Sequence, residues 1–204
     1  MPFITFEGID ASGKTTQITR LAETLKKRGA EVLVTREPRG TDVGIVIGNL
    51  VLDRKDLDIL PSTEVFLFAA DRSQHVRQVL NPALQQGKFV LSDRFVDSSI
   101  AFQGAAGMEL EFIRAVNQLA VNGLKPDVTF WLDLPAEETM KRIAKRGEGD
   151  RLESKGIAYE NKVRELYQLL ADQEPERFVK IDSTAAPEEI AKTIAAVILK
   201  RFLI

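Results

Sequence analysis

The residues with the most chemistry in this chain form one window, Gly8-Ile9-Asp10-Ala11-Ser12-Gly13-Lys14-Thr15. Two glycines with four residues between them, followed by Lys and Thr, match the G-x-x-x-x-G-K-[ST] phosphate-binding loop. The backbone N–H groups of such a loop and the N-terminus of the following helix converge on an anion. The pattern predicts that Gly8, Ile9, Asp10, Ala11, Ser12, Gly13, Lys14, Thr15 and the adjoining Thr16 hold the phosphates of a nucleoside triphosphate. Lys14 is expected on the β- and γ-phosphates, and the Thr15 hydroxyl on Mg²⁺.

A loop of this kind works only between a strand and a helix, and both are written beside it. Phe3-Ile4-Thr5-Phe6 is an apolar strand pattern bounded by Gly8. Ile18, Leu21, Ala22 and Leu25 recur at helical spacing up to Lys26-Lys27-Arg28-Gly29, with cations in the last turn and a glycine just past it. Four further strands are predicted at Glu31–Thr35, Phe89–Ser92, Asp127–Asp133 and Phe178–Ile181. Helical patterns lie between them at Val43–Leu52, Ser62–Gln86, Leu110–Asn122, Ala136–Lys145, Tyr159–Gln173 and Glu188–Arg201, with Pro82 breaking or kinking the second. This alternation predicts an α/β chain: a parallel five-stranded sheet with helices on both faces. Ligands in such folds bind beyond the C-terminal strand ends, where Arg36-Glu37, Asp93-Arg94 and Asp133 fall with the phosphate loop. Asp93, closing an apolar strand, is the expected carboxylate of the Mg²⁺ shell.

Composition agrees with one catalytic domain over residues 1–204. The chain has 44% hydrophobic and 28% charged residues, and its net charge of −2 offers no global basic field for nucleic acid. It has no cysteine, which excludes disulfides and thiolate metal sites. The N-terminus does not read as a signal peptide and no apolar run approaches the length of a membrane span, so a cytoplasmic location is expected. Lys145-Arg146-Gly147-Glu148-Gly149-Asp150-Arg151 reads as a mobile loop between two helices. The single histidine, His75, reads as a solvated or core-satisfied imidazole.

Three other segments complete a resemblance. Thr35-Arg36-Glu37-Pro38-Arg39-Gly40-Thr41, Phe66-Leu67-Phe68-Ala69-Ala70-Asp71-Arg72-Ser73-Gln74-His75 and Asp93-Arg94-Phe95-Val96-Asp97-Ser98-Ser99-Ile100-Ala101-Phe102-Gln103-Gly104 occur in order after Phe6-Glu7-Gly8-Ile9-Asp10. Together they resemble the bacterial thymidylate kinase family over nearly the whole chain, which implies the three-layer P-loop kinase fold. The resemblance implies Mg²⁺-dependent transfer of the ATP γ-phosphoryl group to dTMP, in a homodimer, with the apolar helix around Val65-Phe66-Leu67 as a candidate interface. It implies Arg36 and Arg94 on the phosphates, Arg72 on the thymine edge and Phe68 stacked on the base. Ser98, Ser99 and Gln103 would lie near the base edge, Phe102 would crowd the 2′ position of the sugar, and Asp10 would lie near the 3′-hydroxyl or a metal-bound water. The physical chemistry is consistent: two anionic partners must be held together, and guanidinium groups do this with fixed, bidentate geometry. A phosphate acceptor is already ionised, so alignment and charge neutralisation replace a general base.

Members of the family differ in where a catalytic arginine sits. Position 11 of the loop is alanine, so Arg146 and Arg151 are expected to act from a lid at about residues 142–156, with Arg142 on the donor phosphates. Phe68 is open to a second reading as core, Trp131 reads as core, and Glu7 reads as orienting its neighbours. Two positions depart from the family pattern: Arg39 stands where glycine usually follows Arg-Glu-Pro, and Phe95 where tyrosine is common. The closest competing reading is a P-loop kinase for another nucleoside monophosphate or a deoxynucleoside. A GTPase lacks its guanine-reading tetrapeptide, since Leu124-Lys125-Pro126-Asp127 has no Asn, and an ATPase subunit has no tail or basic face to work through.

Overall fold

The computed structural model describes residues 2–146, 151 and 155–203, with the side chain of Arg146 outside that description. Five strands are present: β1 (Phe3–Glu7), β2 (Val32–Arg36), β3 (Phe89–Asp93), β4 (Val128–Asp133) and β5 (Phe178–Asp182). They form one sheet in the order β2-β3-β1-β4-β5 with every pairing parallel. The register aligns the strand ends, pairing Phe6 and Arg36 with Asp93, and Glu7 with Trp131. Arg36, Glu7 and Asp93 therefore reach one edge of the sheet together, and the phosphate loop leaves β1 at that edge.

Helices α1 (Lys14–Lys27) and α9 (Pro187–Phe202) cover one face. Ile18, Leu21 and Leu25 of α1 and Ile190, Ile194 and Ile198 of α9 pack on Ile4, Phe6, Leu91, Phe130 and Leu132. The pleat turns Phe3, Val90 and Trp131 to the opposite face. That face is covered by α3 (Pro61–His75), α5 (Val96–Ala105), α6 (Leu110–Val121) and α8 (Ile157–Gln173). Strands buried on both sides explain why β1, β3 and β4 read as continuous apolar runs rather than alternating ones.

Two departures from the sequence reading, and one expected break, are informative. The helix α2 (Asp42–Gly48) continues to Asp53 only in wider π-helical winding. The long pattern from Ser62 is interrupted near Pro82 as expected: α3 passes through a π-helical turn at Val76–Leu80 before α4 (Asn81–Gln85). Helix α5 was not among the predicted helices. Its hydrophobic residues show almost no amphipathic separation, because seven of its ten residues are buried, polar ones included. Helix α7 (Ala136–Arg146) leads toward the expected lid, of which residues 147–150 and 152–154 lie outside the described residues.

Val65 is wholly buried in the chain's own core, whereas Phe66 is 56% exposed with its ring edge-on to Phe112 of α6 at 5.6 Å. The outward surface of α3 is thus carried by Phe66, and α6 adds Leu119, 82% exposed.

Candidate active site

The chain turns from β1 into the phosphate loop through two glycines in the left-handed region. Gly8 has φ 134° and Gly13 φ 96°. A Cβ on Gly8 would meet the Leu132 carbonyl oxygen at 2.5 Å, so no other residue fits between β1 and β4 there. Ala11 also has a positive φ, 55°. Lys14 opens α1 and folds back, donating to the carbonyl oxygens of Gly8 at 3.2 Å and Ile9 at 3.0 Å. Burial holds its ammonium below the ordinary lysine range, with the nearby Arg94 pushing the same way. Ser12 Oγ is buried in the loop and has no hydrogen-bond partner among the described residues.

A cavity of about 420 Å³ opens beside this loop. Its lining includes Asp10, Ala11, Gly13, Lys14, Thr15 and Thr16 from the loop and α1, and Arg36 to Arg39 from the turn after β2. Leu52, Phe68 and Arg72 contribute a second wall, and Asp93, Arg94, Ser98, Ser99, Phe102 and Gln103 a third. Every acceptor residue expected from the sequence thus meets in one place. Gly8, Ile9 and Ser12 lie behind the lining.

Thr15 Oγ1 donates to Asp93 Oδ2 at 3.0 Å, so the two expected metal ligands are neighbours on the cavity wall. A hydroxyl and a carboxylate are the hard oxygen donors Mg²⁺ takes, and that ion retains water and substrate phosphate as its other ligands. No group of three His, Asp or Glu side chains suited to a metal occurs among the described residues, and this chemistry does not need one. The residues fit the ion.

Arg94 stands in the left-handed region, φ 71°. Its Nη2 donates to Asp10 Oδ1 at 2.6 Å, its Nη1 to the Gly8 carbonyl at 2.9 Å and to Ser98 Oγ at 3.0 Å. The guanidinium lies 4.8 Å from the centre of the Phe102 ring. Burial works against its charge, but Asp10, Asp93 and Glu7 outweigh it and raise the pKa further, so the group is permanently cationic. Arg72 is buried. It donates through Nε to Glu37 Oε2 at 2.7 Å, through Nη1 to Ser99 Oγ at 2.9 Å and to Asn117 Oδ1, and through Nη2 to the Phe95 carbonyl at 2.9 Å. These bonds use four of its five N–H groups and present one edge to the cavity. Gln103 Nε2 reaches Glu64 Oε2 at 3.4 Å, and its buried Oε1 has no protein partner among the described residues.

Phe68 packs on Val51 and also lines the cavity. Trp131 is core, although Lys180 covers its ring at 4.5 Å. His75 is the core-satisfied imidazole, Nδ1 at 2.9 Å from Glu37 Oε1 and Nε2 at 2.7 Å from Thr35 Oγ1. Asp133, at the same sheet edge, is turned to Arg164 at 2.5 Å and Lys180 at 3.1 Å, outside the cavity lining.

The expected lid arginines part company. Arg142 donates to the carbonyl oxygens of Ala11 and Ser183, both at 3.1 Å, and so lies over the phosphate loop. Arg151 donates to the Val51 carbonyl at 2.8 Å and to Glu64 Oε1 at 2.5 Å, which ties it to the π-helical turn and to α3. The side chain of Arg146 lies outside the described residues.

Glu7 was read only as an orienting group, and its partner Tyr167 carried no readable signal. Burial raises the Glu7 carboxyl to about 7, with the Asp97 charge adding to it and the hydroxyls of Ser98 and Tyr167 opposing. Glu64 and Asn117, which tie Gln103 and Arg72 in place, were also missed. One polar residue on a helix carries no pattern of its own.

A parallel sheet with a lysine-bearing phosphate loop, a Thr–Asp pair and arginines converging on one cavity defines a P-loop kinase of the nucleoside monophosphate type. Residues 6–194 match the thymidylate kinase family model. The chain is 45% identical over 202 residues to a thymidylate kinase of Desulfosudis oleivorans, covering 95% of this chain and 94% of that one. It is 47% identical over 199 residues to one of Thermoanaerobacter pseudethanolicus, covering 97% of each. The chain belongs to the thymidylate kinase family.

Proposed function

We propose that this chain transfers the γ-phosphoryl group of ATP to dTMP, giving dTDP and ADP, with the residues of the cavity in the following roles. One observation carries the assignment: a phosphate loop and three arginines from separate elements, Arg36, Arg72 and Arg94, border the same cavity as the aromatic rings of Phe68 and Phe102.

Lys14 and the loop amides hold the donor phosphates, assisted by Arg142 from above the loop. Thr15 and Asp93 hold Mg²⁺, which when bound neutralises charge on the donor phosphates. An oxygen of the acceptor phosphate attacks the γ-phosphorus, and the bond to the β–γ bridging oxygen breaks as the new one forms. No base is needed, because the attacking oxygen is already ionised. Arg36 and Arg94 hold the acceptor phosphate, and Arg94 also joins acceptor to loop through Asp10. The Asp10 carboxylate, held by Arg94, is placed for the 3′-hydroxyl of the sugar.

The base lies against Phe68, with the free edge of Arg72, Ser98, Ser99 and the buried Oε1 of Gln103 as its polar contacts. Phe102 fills the space where a ribose 2′-hydroxyl would project. Arg146 and Arg151 belong to a lid over the site at about residues 142–156. Phe66 and Leu119 form the apolar centre of a homodimer face on α3 and α6. No helix among the described residues is long and apolar enough to cross a membrane.

Coupled ADP release with ATP and Mg²⁺, comparing dTMP, dUMP, dCMP, dGMP, AMP and thymidine, tests the assignment. Turnover with dTMP, and dUMP a weak second, is the expected result. A preference for any other acceptor overturns the base-reading roles while leaving the kinase chemistry intact.

A further inference from the structure

Glu7 and Tyr167 are wholly buried and neither lines the cavity, yet both reach Arg94 through one hydroxyl. Glu7 Oε1 accepts the Phe95 N–H at 2.8 Å. Glu7 Oε2 accepts the hydroxyls of Ser98 at 2.5 Å and Tyr167 at 2.9 Å. Ser98 Oγ accepts from Arg94 Nη1 at 3.0 Å and lies 3.0 Å from the Tyr167 hydroxyl.

In its ionised form the Glu7 carboxylate can only accept, so the Ser98 hydroxyl proton points at Oε2 and Tyr167 donates to the same oxygen. The Ser98 lone pairs are then left facing Arg94. The same carboxylate also supports the backbone of that arginine. Arg94 sits at a left-handed φ of 71°, and the amide of the next residue is the one Glu7 Oε1 accepts. Glu7 therefore holds Arg94 from its main chain and, through Ser98, from its side chain. Tyr167 is held in turn by its ring, stacked on Trp131 with centres 6.1 Å apart and planes 22° apart.

We propose that Glu7 and Tyr167 are positioning residues for phosphoryl transfer: they fix the Ser98 hydroxyl as an acceptor toward Arg94 and lock that guanidinium between the phosphate loop and the acceptor. The inference rests on the role of Arg94 given above. Glu7→Gln keeps the shape and can still accept from Phe95, but it turns an NH₂ group toward Ser98 and Tyr167. Ser98 then accepts from Gln and loses the acceptor that fixed its own proton, so its lone pairs are no longer reserved for Arg94. Misalignment of a charge-stabilising group by about 1 Å costs on the order of a hundredfold in rate.

The experiment measures kcat, both KM values and Tm for Glu7→Gln, Tyr167→Phe, Ile194→Val and Arg94→Lys in the full chain. Glu7→Gln is expected to lower kcat about thirtyfold and Tyr167→Phe about fivefold, each leaving the KM for ATP within about twofold. Their double variant falls no further than Glu7→Gln, because both act through one hydroxyl. Ile194→Val, in the core on the opposite face of the sheet, lowers Tm while kcat stays within about twofold, the behaviour of a purely structural residue. If Glu7→Gln and Tyr167→Phe behave like Ile194→Val, the inference is wrong. Should Glu7→Gln not fold, the kcat of Tyr167→Phe decides in the same way. An Arg94→Lys enzyme that keeps its kcat overturns the role of Arg94 itself. Loss in Arg94→Lys with no loss in the other two overturns the positioning inference alone.

Discussion

Arg72 and Glu37 form an ion pair inside the protein, Nε to Oε2 at 2.7 Å, with each side chain only 2% exposed. The pair joins α3 to the turn after β2, and Glu37 extends it to His75 of the same helix. Removing one member leaves the other as an uncompensated buried charge. Glu37→Ala is expected to destabilise the fold by about 3–5 kcal/mol, a fall in Tm of roughly 10 °C, and to raise the KM for dTMP as Arg72 swings. Thermal melts check this. A Tm within about 3 °C of the parent would mean that Ser99, Asn117 and the Phe95 carbonyl hold Arg72 without help.

Asp71 carries a pH dependence of opposite origin. Its side chain is wholly buried, Oδ1 has only a long 3.4 Å bond from the Arg39 amide, and Oδ2 has no partner among the described residues. Burial, with the Glu37 charge adding to it, raises its pKa to about 6, while Arg72 and His75 pull the other way. Between the usual carboxylate value and 6 the folded state holds the proton more tightly than the unfolded chain. Stability is therefore lost as pH rises through this window, and the cost is complete above it. Asp71→Asn removes the cost. The variant should melt higher than the parent at pH 7.5, by the equivalent of about 2–3 kcal/mol, and the gap should close as pH falls toward 4.5. A gap that does not change with pH would refute the assignment.

Arg39 resolves one departure from the family pattern. It has φ 81°, a conformation that favours glycine. Its side chain lies across α2 and the π-helical turn, donating to Asn49 Oδ1 at 3.2 Å and Asp53 Oδ2 at 2.6 Å. Gly48 permits this, since a Cβ there would meet Arg39 Cγ at 2.5 Å. Arg39→Gly relieves about 1 kcal/mol of backbone strain and loses a partly exposed ion pair worth about 0–1 kcal/mol. The expected Tm change is within about 3 °C. Arg39 also lines the cavity, so the KM for dTMP should rise two- to threefold, roughly the value of one weak contact. Unchanged acceptor kinetics would confine Arg39 to the scaffold.

Arg151 tests the lid. Its contact with Glu64 joins it to the helix that carries Phe68 and Arg72, its contact with the Val51 carbonyl joins it to the π-helical turn after α2, and Glu64 also meets Gln103. Arg151→Ala is expected to raise the KM for dTMP about tenfold. Loss of kcat alone, with both KM values intact, would instead place its guanidinium on the transferring phosphoryl group.

The second departure, Phe95, needs no hydroxyl: it is wholly buried, edge-on to Phe3 with ring centres 5.0 Å apart. Nothing in the residue order of that segment distinguishes a core ring from a pocket ring. Helix α5 was missed for a related reason. A helix buried on every side has no polar face, so its period cannot be read from the chain.

What the chain determined by itself was local. The loop Gly8–Thr15 needs its own glycines and lysine, the strands β1, β3 and β4 are apolar because both faces are covered, and α1 ends where cations and Gly29 place its end. These are short-range consequences of residue type and spacing. Tertiary structure decided what distant residues do to each other. It turned Asp133 out of the site toward Arg164, set Arg151 on Glu64 rather than on the phosphate loop, and made Glu7 the acceptor for groups 88 to 160 residues away. The physical reason is burial. A polar group taken out of water must find its partner wherever the packed fold brings one, and that choice is made in space rather than along the chain.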